Sequence, residues 1–557
     1  MEEKWVITAK RADFYDIGRT FRLDPVVARL IRNRDVVGNE AIDRYLNGTL
    51  KDLSDPRSMR GMAEAVSILK DKIAGGARMR VVGDYDIDGV MAAYLLCEGL
   101  KSLGANVDAA IPHRVIDGYG ISERLIRCAA EDGVDTIITC DNGVSAWEPL
   151  RLAKELGLTV IVTDHHEVIR LPGADAVIDP HQEGCPYPYK ELCGAAVAWR
   201  LLDVMNCPLV DDLLPYAAFA TVGDIVDLTG ENRIIVKEGL KALRSCSNRG
   251  MRMLARVNDL SLNDIEPYHI GYILGPCLNA AGRLESADLA LHLLQSRSDD
   301  EALDMASRLK ALNDRRKAMT EDGVTLAEEQ LEKNGERDRA IYVVHLENVH
   351  ESIAGIIAGR LREAHEHPVF VLTGTGEIVK GSGRSVEAYP LIEGLKACDE
   401  LLVKYGGHRM AAGLSLRREN VEAFRRQIND VCGLTKEDLI PKVRIDAAMP
   451  MSYVTEDLIR QIDLLRPFGK GNPEPLFAMK DVTAEQVRIL GRDRHVLKMT
   501  LQEENGYKCE AIAFKDADGF KEQLEKDRTV TVAYYPSVNE FRGVRTLQAV
   551  ITHYRRN

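Results

Sequence analysis

The sequence predicts an α/β protein built in series: a parallel-sheet domain, a long connecting helix, a second α/β domain and a C-terminal all-β barrel. Three observations predict it. Short β-rich runs alternate with helical segments from Arg78 to Ile178. A charge-rich stretch, Asp299–Asn334, runs without Pro and with only Gly323 inside it. Beyond Pro441, β-branched and aromatic runs alternate with turns.

In chain order, residues 1–70 read as a mostly helical segment. From 71 to 298 comes the parallel-sheet domain. Its strand-like runs are Arg78–Val82, Val107–Ile111, Asp135–Thr139, Leu158–Val162 and the short Ala176–Ile178. Helical segments at Val90–Leu103, Ser122–Ala130 and Ala146–Leu156 separate them. Alternation at this spacing implies parallel strands covered by helices on both faces. Residues 299–335 form the connecting helix. A second α/β unit at 336–438 reads as strand Ala340–His345, helix Ile353–Ala364, strand Pro368–Leu372 and Gly-rich turns. Residues 441–557 are the barrel, with runs such as HVLKMTL, CEAIAF and TVTVAYYPSV.

The 557 residues, at roughly 150 per domain, fit three or four domains. With 45% hydrophobic and 29% charged residues the composition is that of a globular protein. No apolar run approaches the ~18 residues of a membrane span. The first residues, MEEKWVITAKRADFYD, lack the apolar segment of a signal peptide. Eleven cysteines lie scattered with no Cys-x-x-Cys pair, which fits reduced thiols in a cytoplasm. The net charge of −13 argues weakly against a nucleic-acid partner, but it is uneven. Residues 441–557 hold 19 Lys and Arg against 17 Asp and Glu.

In an open parallel sheet, ligands bind beyond the carboxyl ends of the strands. Three strands end there in acids or imidazoles: Asp84, Asp86 and Asp88 after the first, Asp141 after the third, and Asp164-His165-His166 after the fourth. Asp224 follows a further apolar stretch. A lone Asp at such a place is ordinarily a helix cap. Several converging carboxylates repel one another unless a cation compensates. Adjacent histidines on extended backbone face opposite ways, so His165 and His166 take different tasks. Carboxylates with imidazole and no thiolate suit Mn²⁺ or Mg²⁺. Two such ions clamp the attacking and leaving oxygens of an in-line displacement, so the expected reaction is phosphodiester hydrolysis.

GDYDIDGV, CDNG, TDHHE and VGDIVDL resemble, in that order, motifs I to IV of the DHH phosphoesterase superfamily. GPCLNAAGRL, LNDRR, GSGRS and GGHRMAAG continue the resemblance into its DHHA1 domain, and LRPFGKGNP resembles the entry to a C-terminal OB domain. The ordered set is similar to the superfamily's bacterial single-strand-specific 5′→3′ DNA exonucleases. The resemblance implies metal ligands at Asp86, Asp88, Asp141, His165 and Asp224. It leaves open which motif I acids ligate, and it implies support of the metal loop for Asp84. For His166 it implies a contact to the scissile phosphate or an outer position beside the metals. Asp84, Asp141, His165 and His166 are the expected catalytic set.

It also implies single-stranded DNA as partner, cleavage from the 5′ end in repair and recombination, a helicase and a single-strand-binding protein alongside, and a monomer. Cys277-Leu278, Val349-His350 and Gly359 depart from the superfamily's usual residues, and none of them is a metal position.

For the strand itself, the expected contacts are Asn279, Arg283, Arg360, Ser382, Arg384, Gly406, Gly407 and His408. Arg forks match phosphate oxygens, and Gly-rich turns let backbone N–H groups approach phosphate. On the barrel the candidates are Phe468, Lys470, Lys498, Tyr534, Tyr535, Phe541 and Arg542, with one of the two tyrosines pointing inward. Two alternatives stand beside this reading. One is a DHH phosphodiesterase of short oligoribonucleotides or cyclic dinucleotides. The other is a non-catalytic replication scaffold, against which the retained ligand set counts.

Overall fold

A computed structural model describes residues 3–491 and 494–556. The chain opens with strand β1 (Lys4–Ile7) and three helices, Phe14–Phe21, Pro25–Asn33 and Asn39–Asn47. Next come β2 (Arg78–Val82), β3 (Asn106–Ala110), β4 (Thr136–Cys140), β5 (Thr159–Thr163) and β6 (Ala176–Ile178). They form one sheet in the order β3-β2-β4-β5-β6, and every pairing is parallel. Side chains alternate between its faces. Met79, Val81, Ile138 and Ile161 enter one core with the helices Ile87–Ser102, Gly194–Val204 and Val210–Gly223. Val82, Ile137, Val160 and Val162 enter a second core with Leu125, Ile126 and Leu150. Burial on both faces is why these strands read as continuous apolar runs.

The helix after β2 starts at Ile87, three residues earlier than the apolar pattern suggests, because the Asp86 carboxylate accepts N–H bonds from Asp88 and Gly89. From Gly194 the chain is mainly helical to Leu294, a region left largely unassigned by the sequence pattern. The connecting helix is one element, Asp299–Lys333, about 50 Å long at 1.5 Å per residue.

The second α/β unit holds β7 (Tyr342–Leu346), β8 (Val369–Thr373), β9 (Ile378–Arg384), β10 (Leu402–Gly407) and β11 (Ala411–Arg417), ordered β10-β11-β9-β8-β7. Only β7 and β8 are parallel. GSGRS is therefore not a Gly-rich turn. It lies in β9, hydrogen-bonded on both sides, with Ser382 opposite Val371 and Gly413. Its glycines make room for neighbouring side chains: a Cβ on Gly383 would sit 2.6 Å from the Phe370 ring. The backbone N–H groups serve the sheet, so only the Ser382 and Arg384 side chains are left to face a ligand.

The C-terminal unit contains β12 (Lys442–Ile445), β13 (Ala447–Ala448), β14 (Phe477–Leu490), β15 (Val496–Gln502), β16 (Lys508–Ala513), β17 (Thr529–Phe541) and β18 (Val544–Arg556). Pairing in the order β14-β15-β16-β18-β17 closes back on β14, a five-stranded barrel. Tyr534 is wholly buried and donates to the Met449 carbonyl at 2.8 Å, whereas Tyr535 is half-buried. The Phe541 side chain lies outside the described ones.

The N-terminal helices pack into this barrel's core. Val27, Leu30, Ile31, Ile42 and Tyr45 join Leu458, Leu465 and Phe477 in one apolar cluster, and β1 pairs in parallel with β12. Arg233, 2% exposed, ties the three parts together. It donates to the carbonyls of Tyr45 (2.9 Å), Leu465 (2.7 Å) and Leu464 (3.1 Å) and lies 4.0 Å from the centre of the Tyr45 ring. Arg233→Ala removes all three of these bonds at once, although the Leu465 carbonyl keeps the Asn472 side-chain donor at 2.8 Å. We expect a loss of about 3 kcal/mol in chemical denaturation. A change below about 1 kcal/mol would mean that the guanidinium does not bind these parts together.

Candidate metal centre and strand cleft

From β2 the chain runs outward to β3 and returns to β4 on the other side of β2. The crevice beyond the carboxyl ends of β2 and β4 is thus a topological switch point, where open α/β sheets bind ligands. The acids after β2 and β4 meet there, joined by the histidines after β5.

Asp88 is fully buried, and its carboxylate accepts the N–H groups of Gly194 (2.7 Å) and Ala195 (2.8 Å) at the start of the helix Gly194–Val204. A helix N-terminus stabilises such a buried negative charge. Asp141 is buried with φ 59°, a left-handed conformation that Asp tolerates. It does not cap the following helix, whose first flanking residue is Ala146. Asp224 follows a helix rather than a strand, as the C-cap of Val210–Gly223. The next residue, Ile225, is held at φ 60° and is 64% exposed. A β-branched residue is rarely left-handed, so the backbone is strained beside this acid.

His165 Nε2 lies 3.1 Å from Asp141 Oδ1, 3.7 Å from Asp88 Oδ2 and 3.8 Å from Asp224 Oδ2. It is buried and makes no hydrogen bond. Three overlapping sets of ligand atoms gather among the described residues: Asp88, His165 and Asp224; Asp84, Asp86 and Asp141; and Asp141, His165 and His166, which shares a residue with each of the others. Burial, then the neighbouring carboxylates, raises Asp141 and Asp224 well above the usual carboxylate range. Burial also raises Asp88, and burial with Asp86 beside it brings Asp84 to about 8. Burial lowers His165. No lysine or arginine forms an ion pair with these groups among the described residues, and a divalent ion is the partner they fit: hard oxygen donors with one free imidazole nitrogen.

The two histidines do not face opposite ways as expected from extended backbone: their ring centres are 4.4 Å apart, and what separates their tasks is the bonding of His166. Its Nδ1 lies 2.6 Å from Asp164 Oδ1, and its Nε2 3.1 Å from the Tyr119 hydroxyl. Burial opposes its charge, but the Asp164 carboxylate wins and lifts it to about 9. Asp164 itself is locked by N–H groups of Val144, His165 and His166.

Beside the metal set opens a cleft of about 570 Å³ between the first two domains. Of the residues expected to contact the strand, Arg283, Ser382, Arg384 and Gly406 line it, beside Arg114 and Lys404, which the sequence reading missed. Arg114 and Tyr119 belong to the loop after β3. The same strand-edge argument would have found them had the end of β3 been inspected with the others. Arg283 donates to the Ser352 carbonyl at 2.8 Å across the domain junction, and burial followed by Arg114 lowers it to about 10.

Other expected strand contacts lie elsewhere. Asn279 accepts the Ile87 N–H at 2.8 Å and so braces the metal loop rather than reaching into the cleft. Arg360 is exposed on the helix Ala354–His365, Gly407 ends β10, and His408 sits exposed in the turn before β11. Phe468 is half-buried under Arg466, whose guanidinium is 5.1 Å from its ring centre. Lys470 is exposed 3.5 Å from Asp227, and its carbonyl accepts the Leu228 N–H at 2.7 Å, so the barrel entry docks on the loop after Asp224.

Models of three families match the chain: the DHH family N-terminal domain over residues 78–221, the DHHA1 domain over 338–434 and the RecJ OB domain over 445–553. The single-stranded-DNA-specific exonuclease RecJ of Bacillus subtilis is 35% identical over 534 residues, covering 95% of this chain and 68% of that protein. The chain belongs to the RecJ family. RecJ of Escherichia coli is 32% identical over 95% of both chains. The crystal structure of RecJ from Thermus thermophilus in complex with Mn²⁺ superposes with a TM-score of 0.85 at 28% identity, covering 100% of this chain and 80% of that one. The RecJ fold is therefore shared along the described length. No helix among the described residues is long and apolar enough to cross a membrane.

Proposed function

We propose that this RecJ-family chain is a divalent-metal-dependent exonuclease that hydrolyses single-stranded DNA from the 5′ end, releasing nucleotides in cytoplasmic DNA repair and recombination. One observation carries the reading. Five carboxylates and the bondless His165 Nε2 converge, with no lysine or arginine ion-paired to them among the described residues, beside an arginine-lined cleft. Mn²⁺ or Mg²⁺ fits this donor set: Asp84, Asp86 and Asp141 would hold one ion and Asp88, His165 and Asp224 another. The two sets support two ions. Bound divalent ions lower the pKa of water and neutralise charge at the scissile phosphate.

The chain's own groups do the rest. Asp164 keeps His166 charged and held against Tyr119, which lines the cleft, where it would meet a phosphate oxygen. Arg283 and Arg384 hold backbone phosphates by their forks. Asn279 and the helix N-terminus at Gly194 keep the acids in place against their mutual repulsion. A helicase would supply single strands and a single-strand-binding protein would share them.

The test is digestion of one strand labelled at its 5′ or 3′ end, with Mn²⁺ and with Mg²⁺. The 5′ label should appear first in mononucleotide. Inertness with both cations, or a dinucleotide cut in preference to the long strand, would overturn the proposal. Arg384 has no carboxylate partner among the described residues. Arg384→Ala is expected to weaken strand binding about tenfold and to reduce the salt slope by about 0.7, one released counterion. An unchanged slope in a fluorescence titration would place Arg384 off the phosphate path.

A further inference from the structure

We propose that Tyr268 and Tyr272 form a base-stacking platform for the strand where it passes between the metal centre and the barrel. The inference rests on the single-stranded DNA reading and adds a site to it. The two rings are stacked, with centroids 5.0 Å apart and planes 27° from parallel. Both are open to solvent, 61% and 71% exposed. Stacked aromatic rings left in water offer a ready surface for a nucleobase, whose π-face any sequence provides.

Their position joins the two ends of the proposed path. The rings flank the start of a π-helical turn, Ile270–Leu274, a wide-wound form found often at functional sites. Gly275 follows that turn, and a Cβ there would sit 3.2 Å from Cδ1 of Ile87, the first residue of the helix Ile87–Ser102, between Asp86 and Asp88. On the other side Glu266, just before Tyr268, pairs at 3.2 Å with Arg466 of the barrel entry. Arg466 covers Phe468, and Lys470 docks on the loop after Asp224. Tyr268 and Tyr272 thus occupy the surface between the metal loop and the first residues of the barrel unit.

The local charge shows which kind of contact this is. Arg466 is surrounded by Glu266, Asp463 and Glu474, and Lys470 faces Asp227. A surface so rich in carboxylates does not attract phosphates. A strand held here is held by its bases, and such a hold releases no counterions.

The experiment is binding of a fluorescein-labelled oligothymidylate to the full chain with divalent ions chelated, between about 50 and 200 mM salt. Y268A/Y272A should raise Kd about tenfold or more at every salt concentration, with the slope of log K against log salt unchanged. Y268F/Y272F, which keeps the rings, should restore the affinity. Both residues are exposed, so the substitutions do not disturb a core. A Kd equal to that of the unmodified chain overturns the platform, and so does a weakening that comes with a smaller salt slope. If the unmodified chain neither binds nor cuts single strands, the function itself falls, and that outcome is distinct from a silent double variant.

Discussion

Asp141→Asn is expected to lower hydrolysis of single-stranded DNA by about a thousandfold or more while strand binding persists. Asp141 belongs to the group with Asp84 and Asp86, and its Oδ1 is 3.1 Å from His165 Nε2 in the other group, so one carboxylate links both. Asn suits the left-handed backbone at this position as well as Asp does, so the fold keeps its shape. Stability should move in opposite directions with and without metal. With ions chelated, the variant should melt higher than the unmodified protein, because one of several buried, mutually repelling carboxylates is gone. With Mn²⁺ at about 100 times its Kd, the unmodified protein gains about 2.7 kcal/mol, and the variant should gain much less. Thermal melts with chelator and with Mn²⁺, beside turnover assays, check both halves. A variant that keeps turnover within tenfold, or shows the full Mn²⁺ shift, would remove Asp141 from the centre.

Gly194→Ala is the second large expectation, and its sign is informative. Ala ordinarily favours a helix over Gly by up to about 1 kcal/mol. Here the added Cβ would sit 2.6 Å from Asp141 Cβ and 2.8 Å from Asp141 Cα. Those atoms belong to the backbone and its first carbon, so they cannot swing aside. The Gly194 N–H also holds Asp88 at 2.7 Å. One methyl therefore displaces two acids from opposite groups. We expect a loss of about 1–3 kcal/mol in chemical denaturation from overpacking. A fall of about a hundredfold in kcat should follow, since a displacement near 1 Å is enough for that. Unchanged or increased stability would show that the helix end is not pressed against the centre.

Much of the first domain was legible because parallel strands buried on both faces leave apolar runs, and acids stand out at their ends. Asp84, Asp141 and His165 come together for that reason. Asp86 was harder, since a helix cap and a ligand are the same residue type at the same place, and it both caps Ile87–Ser102 and faces the cluster. Asp224 could be found by motif, but its setting at a helix end was hidden in an apolar stretch equally compatible with strand or helix.

GSGRS was read as turns because glycines punctuate turns more often than strands. In β9 they are required by Phe370 and Leu372, whose side chains fill the space a Cβ would take, and nothing nearby in the sequence announces those neighbours. Asn279 likewise bonds to Ile87, 192 positions away.

By itself the sequence determined the strand order of chemistry along the chain: which residue types stand at which strand ends, and that they suit hard cations. Periodicity and composition are local properties, and they suffice for that. The tertiary structure alone decided that overlapping sets of ligand atoms share one crevice, that the His165 Nε2 is left without a bond among three carboxylates, and that the N-terminal helices complete the core of the barrel. Those outcomes depend on contacts between residues far apart in the chain, hundreds of positions apart in the barrel core, and their cause is packing, which no local pattern encodes.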